Sequence, residues 1–168
     1  MSDLDLARND PEALLWRELD EVHAGMLGIE GSGQHLQPMA HRSDRERRRL
    51  WFFTKRDTDL VKALQPGTKA HFAIISRAQD FHACMSGTLR EEMDREAMDR
   101  LWNAHVAAWF KGGKEDPDLV MLAMDLEHAR IWASTKNVLA YAWELVKANT
   151  NAEVTPNVGV RNEVTFRS

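Results

Sequence analysis

From Phe81 to Leu89 the chain alternates. Phe81, Ala83, Met85 and Leu89 fall on one side, and His82, Cys84, Ser86 and Thr88 on the other. A period of two suits a strand with one buried face and fits no helix. Shorter stretches read the same way. Leu27 and Ile29 share a face in the segment that leads to the turn Glu30-Gly31-Ser32-Gly33. In Gln34 to His41, Leu36, Pro38 and Ala40 oppose Gln37, Met39 and His41. Pro38 donates nothing to a sheet ladder, so this strand lies at an edge, carries a bulge, or turns its donor side to a ligand. Leu50-Trp51-Phe52-Phe53-Thr54 is apolar on both faces, as a buried strand is. Lys69 to Ile75 is a further strand, and Leu119–Leu126 with His128–Ser134 reads as a closing hairpin.

Helices interrupt this pattern. Asp10 caps a helix that begins at Pro11 and buries Leu15, Leu19 and Val22. Asp57 caps a second, with Leu60, Val61 and Leu64 inward, stopped by Gln65-Pro66-Gly67. Asp94 to Phe110 is helical in one or two pieces. Asn137 caps the last, with Val138, Leu139, Ala142, Leu145 and Val146 inward. About seven strands with short helices between them, and no βαβ alternation, predict a mainly β fold: an antiparallel β-barrel with peripheral helices. Residues 11–149 form this domain. Residues 1–10 read as a polar tail, and 150–168 as another, free or laid across a neighbouring subunit.

The chemistry on offer is narrow. Apolar residues are 43% of the chain and charged residues 29%, which excludes a disordered composition. The net charge of -4 argues against nucleic acid or an anionic membrane as partner. Arg42 to Arg49 holds five arginines with Asp44 and Glu46, read as a solvated hairpin loop. Cys84 is the one cysteine, so neither a disulfide within the chain nor a thiolate zinc site can form. The first ten residues do not read as a signal peptide, and no apolar run approaches the ~20 residues of a membrane span. A cytoplasmic protein without a bound metal is therefore expected. Gly31-Ser32-Gly33 lacks the third glycine of a dinucleotide fingerprint. The seven histidines are scattered and read as structural or surface groups; His41 and His82 are the local candidates for chemistry. Six tryptophans stand against one tyrosine, read mostly as core and interface, with one or two stacked near a planar ligand.

One constellation suits a phosphate and a flat ring. The strand with Gln37-Pro38-Met39 precedes Leu50 to Thr54, and that strand feeds the helix at Asp57. Thr54 and Thr58 add hydroxyls, Lys55 and Arg56 add positive charge, and a helix start offers free N–H groups. Trp109 is a ring close to this cleft.

These segments, with Asp80-Phe81 leading to Ser86-Gly87, Trp102 to Phe110, and Ile131-Trp132, resemble the general stress protein branch of the pyridoxamine 5′-phosphate oxidase-like family, from about Trp16 to Ala148. The resemblance implies a split β-barrel, a homodimer, and FMN in a cleft between the two subunits. It places Gln37 to Arg42 along the flavin ring and ribityl chain. Phe53 and Thr54 fall at the flavin and phosphate, Thr58 at the phosphate, and His82 and Trp132 beside the flavin. Gln37 and Leu60 stand where the family usually has arginine and lysine, which removes two charge-assisted contacts. Lys55, Arg56, Arg42 or Lys62 are the candidates to replace them. Lys136-Asn137-Val138-Leu139-Ala140 replaces the Arg-x-His pair of pyridoxamine phosphate oxidase, so that oxidation is not expected. The function implied is an FMN-dependent oxidoreductase acting on a small substrate or electron donor. Its alternatives are a carrier for flavin, deazaflavin or haem, and a cofactor-free protein acting through protein contacts.

Overall fold

The computed structural model describes residues 2–135, 138–150 and 159–166. Eight strands form one antiparallel sheet that curls into a split barrel. They are β1 (Gly25–Ile29), β2 (Gln37–Met39), β3 (His41–Asp44), β4 (Arg49–Lys55), β5 (Lys69–Ile75), β6 (Phe81–Glu91), β7 (Leu119–Ser134) and β8 (Gly159–Thr165). The order is β2-β1-β5-β6-β7-β4-β3, with β8 added to β7. The helices are α1 (Asp3–Asn9), α2 (Pro11–Glu21), α3 (Asp59–Lys62), α4 (Arg95–Leu101), α5 (Ala104–Ala107) and α6 (Val138–Thr150). Among the described residues no helix is long and apolar enough to cross a membrane.

The alternation in β6 turns Phe81, Ala83, Met85 and Leu89 inward, onto Leu27, Phe52, Phe72, Leu122 and Ile131. Leu14, Leu15, Trp16 and Leu19 of α2 close this core. β4 is buried on both faces, as its composition requires. Leu50 and Phe52 enter the main core, while Trp51 enters a second cluster with Ala97, Met98, Val106 and Phe110 of the α4–α5 region.

Several expectations needed correction. The closing hairpin is one strand. β7 runs unbroken for 16 residues, and its apparent break at Glu127 is a bulge. Ser86 pairs with His128 and Gly87 with Leu126, which leaves Glu127 as the extra residue. A Cβ on Gly87 would lie 2.0 Å from the Asp125 carbonyl oxygen, so this crossing needs glycine. Glu127 instead binds Lys69 Nζ at 2.5 Å and Thr88 Oγ1 at 2.7 Å.

Both supposed tails carry structure. Ser2 makes a capping box for α1, which buries Ala7. Residues 159–165 are β8, whose Asn162 donates to the Ala7 carbonyl at 3.1 Å, and Phe166 packs edge-on against Trp16. The arginine loop is half strand: β3 takes residues 41–44, and only residues 45–48 turn. Thr58, not Asp57, caps α3, which is one turn long. The cap expected at Asn137 lies outside the described residues. Leu145 and Val146, expected inward, are exposed on α6 with Tyr141 and Trp143.

Candidate functional site

A cavity of about 430 Å³ opens where β2, β3, the end of β4 and α5 converge. β2 is the terminal strand of the sheet, which accommodates Pro38 without a lost ladder bond. Pro38, Met39 and Ala40 form one wall. Phe53, Thr54 and Lys55 from β4, with Thr58 just beyond, form the floor. His105, Val106, Trp109 and Phe110 form the opposite wall.

That wall has a clear cause. Asn103 caps α5 by accepting from Val106 N at 3.0 Å. Val106 and Phe110 then turn into the core, which leaves His105 exposed and Trp109 73% exposed at the cavity rim. Trp102 meets Phe53 edge-on at 5.9 Å between centroids and lies 6.2 Å from Phe110. The result is a buttressed apolar surface beside a polar floor.

The charges are one-sided. Arg42 and Lys55 line the cavity, and among the described residues no carboxylate does. Arg42 Nη1 donates to the His41 carbonyl at 2.9 Å, while its Nε is buried without a partner. Asp116 is held below the ordinary carboxylate range mainly by the N–H groups of Gly112 and Asp118, with Lys55 adding a small push. Of the other cations considered, Arg56 is tied to Glu91 at 2.9 Å, and Lys62 lies off the cavity. Leu60 is buried.

The polar floor is not all free. The Thr58 hydroxyl donates to the Lys55 carbonyl at 2.9 Å and accepts from Val61 N at 3.4 Å. Its donor is therefore committed to the turn. α3 is too short for much of a macrodipole, so any phosphate held here depends on side-chain charge.

The structure gathers Pro38, Met39, Phe53, Thr54, Lys55, Thr58 and Trp109 around one cavity. Gln37 lies at the end of β2, paired with Leu27 and outside the lining. His82 and Trp132 face each other across β6 and β7 and line a separate groove with Arg161. Thr54 pairs with Val120, and Trp132 lies 12 residues further along β7, a path of ~40 Å. His41 is buried in the core. Its Nε2 donates to the Leu19 carbonyl at 2.7 Å, and its ring meets Phe72 edge-on. Burial pushes its pKa down, with Arg42 pushing the same way against the Leu19 bond, so it is neutral near pH 7. It is a structural histidine. Burial likewise pushes the Cys84 thiol up, which suits a packed residue more than a nucleophile. Reading the sequence missed His105, Val106 and Phe110; their helical spacing beside Trp109 was the available signal.

The sequence model of the family described as pyridoxamine 5′-phosphate oxidase-like matches residues 10–156. The chain belongs to this family. Among its solved members, a candidate general stress protein 26 from Jannaschia sp. CCS1 is 36% identical, with a TM-score of 0.74 over 90% of this chain and 95% of that one. The general stress FMN/FAD binding protein from Xanthomonas citri is 38% identical, with a TM-score of 0.68 over 74% of this chain and 89% of its own. A protein related to general stress protein 26 from Clostridium acetobutylicum shares the fold at 18% identity, with a TM-score of 0.63 over 82% and 94% of the two chains. No curated protein matches the chain. The split barrel of this family is the fold described above, and the resemblance to its general stress branch is borne out.

Proposed function

We propose that this family member binds FMN in the cavity between β2, β4 and α5 and uses it as an oxidoreductase on a small substrate, not on pyridoxamine phosphate. The carrying observation is the cavity itself: an aromatic wall, two cations with no carboxylate beside them in the lining among the described residues, and a volume in the range of ligand sites. The FMN/FAD binding named for the Xanthomonas citri relative supports flavin as the occupant. Pro38, Met39 and Phe53 would flank the ring, and Thr54, Lys55 and Thr58 would take the phosphate end. Lys55 is the cation that offsets the missing charge at Gln37 and Leu60. A bound flavin supplies hydride or electron transfer, and the protein supplies position and electrostatics.

His82 and Trp132 enter this reading through a second subunit. Trp132 is too far along β7 to share a ligand with Thr54 in one chain. In a homodimer with the cofactor cleft between subunits, the partner's face would bring that groove to the cavity. The protein would act in the cytoplasm.

A carrier reading rests on one observation. His105 is the one histidine of the lining, and it sits at the rim. Binding without turnover would be the outcome of such a wall.

The test is a visible spectrum of the purified protein after FMN is added and excess is removed on a sizing column. Flavin bands that travel with a dimer-sized peak support the proposal. Reduction of that flavin by a nicotinamide cofactor, with turnover, separates enzyme from carrier. Protein that emerges free of flavin rejects the proposal, and a strong Soret band after haem is added would favour the haem carrier.

A further inference from the structure

We propose that His41 is the positioning residue of the cavity's β2 wall: its neutral ring anchors residues 38–42 to α2, and protonation of that ring frees the wall and weakens the hold on flavin. The anchor stands on the geometry of the wall; its effect on a ligand rests on the flavin reading.

The backbone alone holds this wall weakly. β2 is a terminal strand of three residues, paired with β1 at Gln37, Pro38 and Met39. Pro38 has no N–H to give. The strand stops before Ala40, and β3 begins at His41. Pro38, Met39, Ala40 and Arg42 all line the cavity, while His41, in their midst, turns into the core and is 3% exposed. Its Nε2 donates to the Leu19 carbonyl at 2.7 Å. That carbonyl lies in the last turn of α2, where the helix supplies no further N–H. One side-chain bond thus joins the wall to the helix that closes the core.

The other ring nitrogen makes the anchor sensitive to acid. Nδ1 is buried without a hydrogen-bond partner among the described residues. A proton there creates a buried charge and a buried N–H with no acceptor. The ring meets Phe72 at 5.2 Å between centroids, and His41 pairs with Phe52 across the ladder; neither side chain carries an acceptor. The charged and titratable groups around the ring are Arg42 on β3, Asp20 on α2 and His23 just beyond α2. Burial is the largest influence keeping the proton off. The Leu19 carbonyl and Asp20 oppose it, and Arg42 and His23 reinforce it. The folded value therefore lies below the ordinary 6.5. A group lowered in this way contributes stability that is complete above 6.5 and is lost as pH falls through the folded value. Asp94 and Asp125 are held below 3.8, so their ion pairs persist in the range where His41 titrates.

The experiment follows the cofactor-free protein from pH 7.5 to about pH 5 by backbone hydrogen exchange, corrected for the intrinsic rate, and by nitrogen NMR of the imidazoles. Riboflavin affinity is measured over the same range, because the phosphate of FMN itself titrates near pH 6. The His41 ring should be the neutral Nε2–H form at pH 7.5. As it gains a proton, amides of residues 39–44 should lose protection about tenfold, and riboflavin should bind about tenfold more weakly. His41→Gln keeps a donor for the Leu19 carbonyl and does not titrate, so both responses should flatten, although the other six histidines remain. Equal acid responses in wild type and His41→Gln overturn the proposal. So does a wild-type ring that stays neutral while protection is lost, which needs no variant to fold. Protection that survives protonation of the ring overturns it as well, and lost protection with unchanged riboflavin affinity overturns the link to the cavity. If neither riboflavin nor FMN binds at any pH, the flavin reading falls separately, and exchange in the cofactor-free protein still decides the anchor.

Discussion

The β3–β4 hairpin treats its arginines in opposite ways at its two ends. At the turn, Arg47 and Arg49 are held. Asp44 is buried and accepts from Trp51 Nε1 at 3.2 Å, Arg100 Nη2 at 2.8 Å and Arg47 N at 3.3 Å. Arg47 reaches Asp94 at 2.6 Å, and Arg49 reaches Asp125 at 2.6 Å and Glu92 at 2.8 Å. Arg49 also lies over the Trp51 ring, 4.9 Å from its centroid. At the open end, Arg42 and Lys55 line a cavity with no acid among the described residues. At the turn, Arg47 and Arg49 serve the hairpin's shape and are neutralised within the fold. The open end keeps its charges for something else.

The largest break in this comparison comes from Asp44→Ala. It strands the Trp51 N–H, the Arg47 N–H and Arg100 around a buried gap. We expect a loss of about 3 kcal/mol in stability, read as a lower denaturant midpoint with an unchanged slope. A midpoint equal to wild type would show that the turn network does not hold the hairpin.

Lys55→Ala should act in the opposite sense. The side chain is exposed, so stability should move by less than about 0.5 kcal/mol. FMN affinity should fall about tenfold in a spectral titration, because a charge-assisted phosphate contact is lost. Riboflavin, which lacks the phosphate, should bind both proteins equally. Equal loss for riboflavin would move the phosphate away from Lys55.

Acid should sharpen the contrast by a smaller amount. The Ala97 N–H and Arg47 hold Asp94 below the ordinary carboxylate value of 3.8. Burial raises Asp125, but Arg90 and Arg49 outweigh it and hold that group low as well. A depressed folded pKa contributes stability that is full above the unfolded value and is lost as pH falls through the folded one. Stability should therefore decline below about pH 4 by less than Asp44→Ala costs, and 0.5 M salt should shrink the decline. Arg47→Ala and Arg49→Ala should flatten the acid limb. A limb that keeps its slope in both would place the acid sensitivity elsewhere.

Some of this was legible in the sequence. The alternation of β6 and the doubly apolar β4 each have one physical reading, and both held. Asp94 to Phe110, read as helical in one or two pieces, is two, since Trp102 and Asn103 separate α4 from α5. Elsewhere local pattern misled. Gln37, Met39 and His41 were expected on one face, yet the strand breaks at Ala40, so Met39 lines the cavity while His41 enters the core. The polar run at Glu127 looked like a turn because a bulge residue has no ladder partner to select its side chain. β8 was hidden because Val160, Val164 and Phe166 alternate with charged residues in a segment too short to stand alone. It gains its burial from α1, α2 and β7, all earlier in the sequence. Of the tryptophans, Trp16 and Trp51 are buried as expected, while Trp109, Trp132 and Trp143 are exposed.

The length of β7 has a consequence for the order of assembly. Its first half closes against β4, which is synthesised before it, but His128–Ser134 pairs on one side with residues 159–165. A growing chain on the ribosome thus completes six strands around β7 while one flank of its second half still lacks a neighbour. Until residue 165 has emerged, that flank is an open template for strand addition, and nascent or truncated chains are most exposed to wrong pairing there.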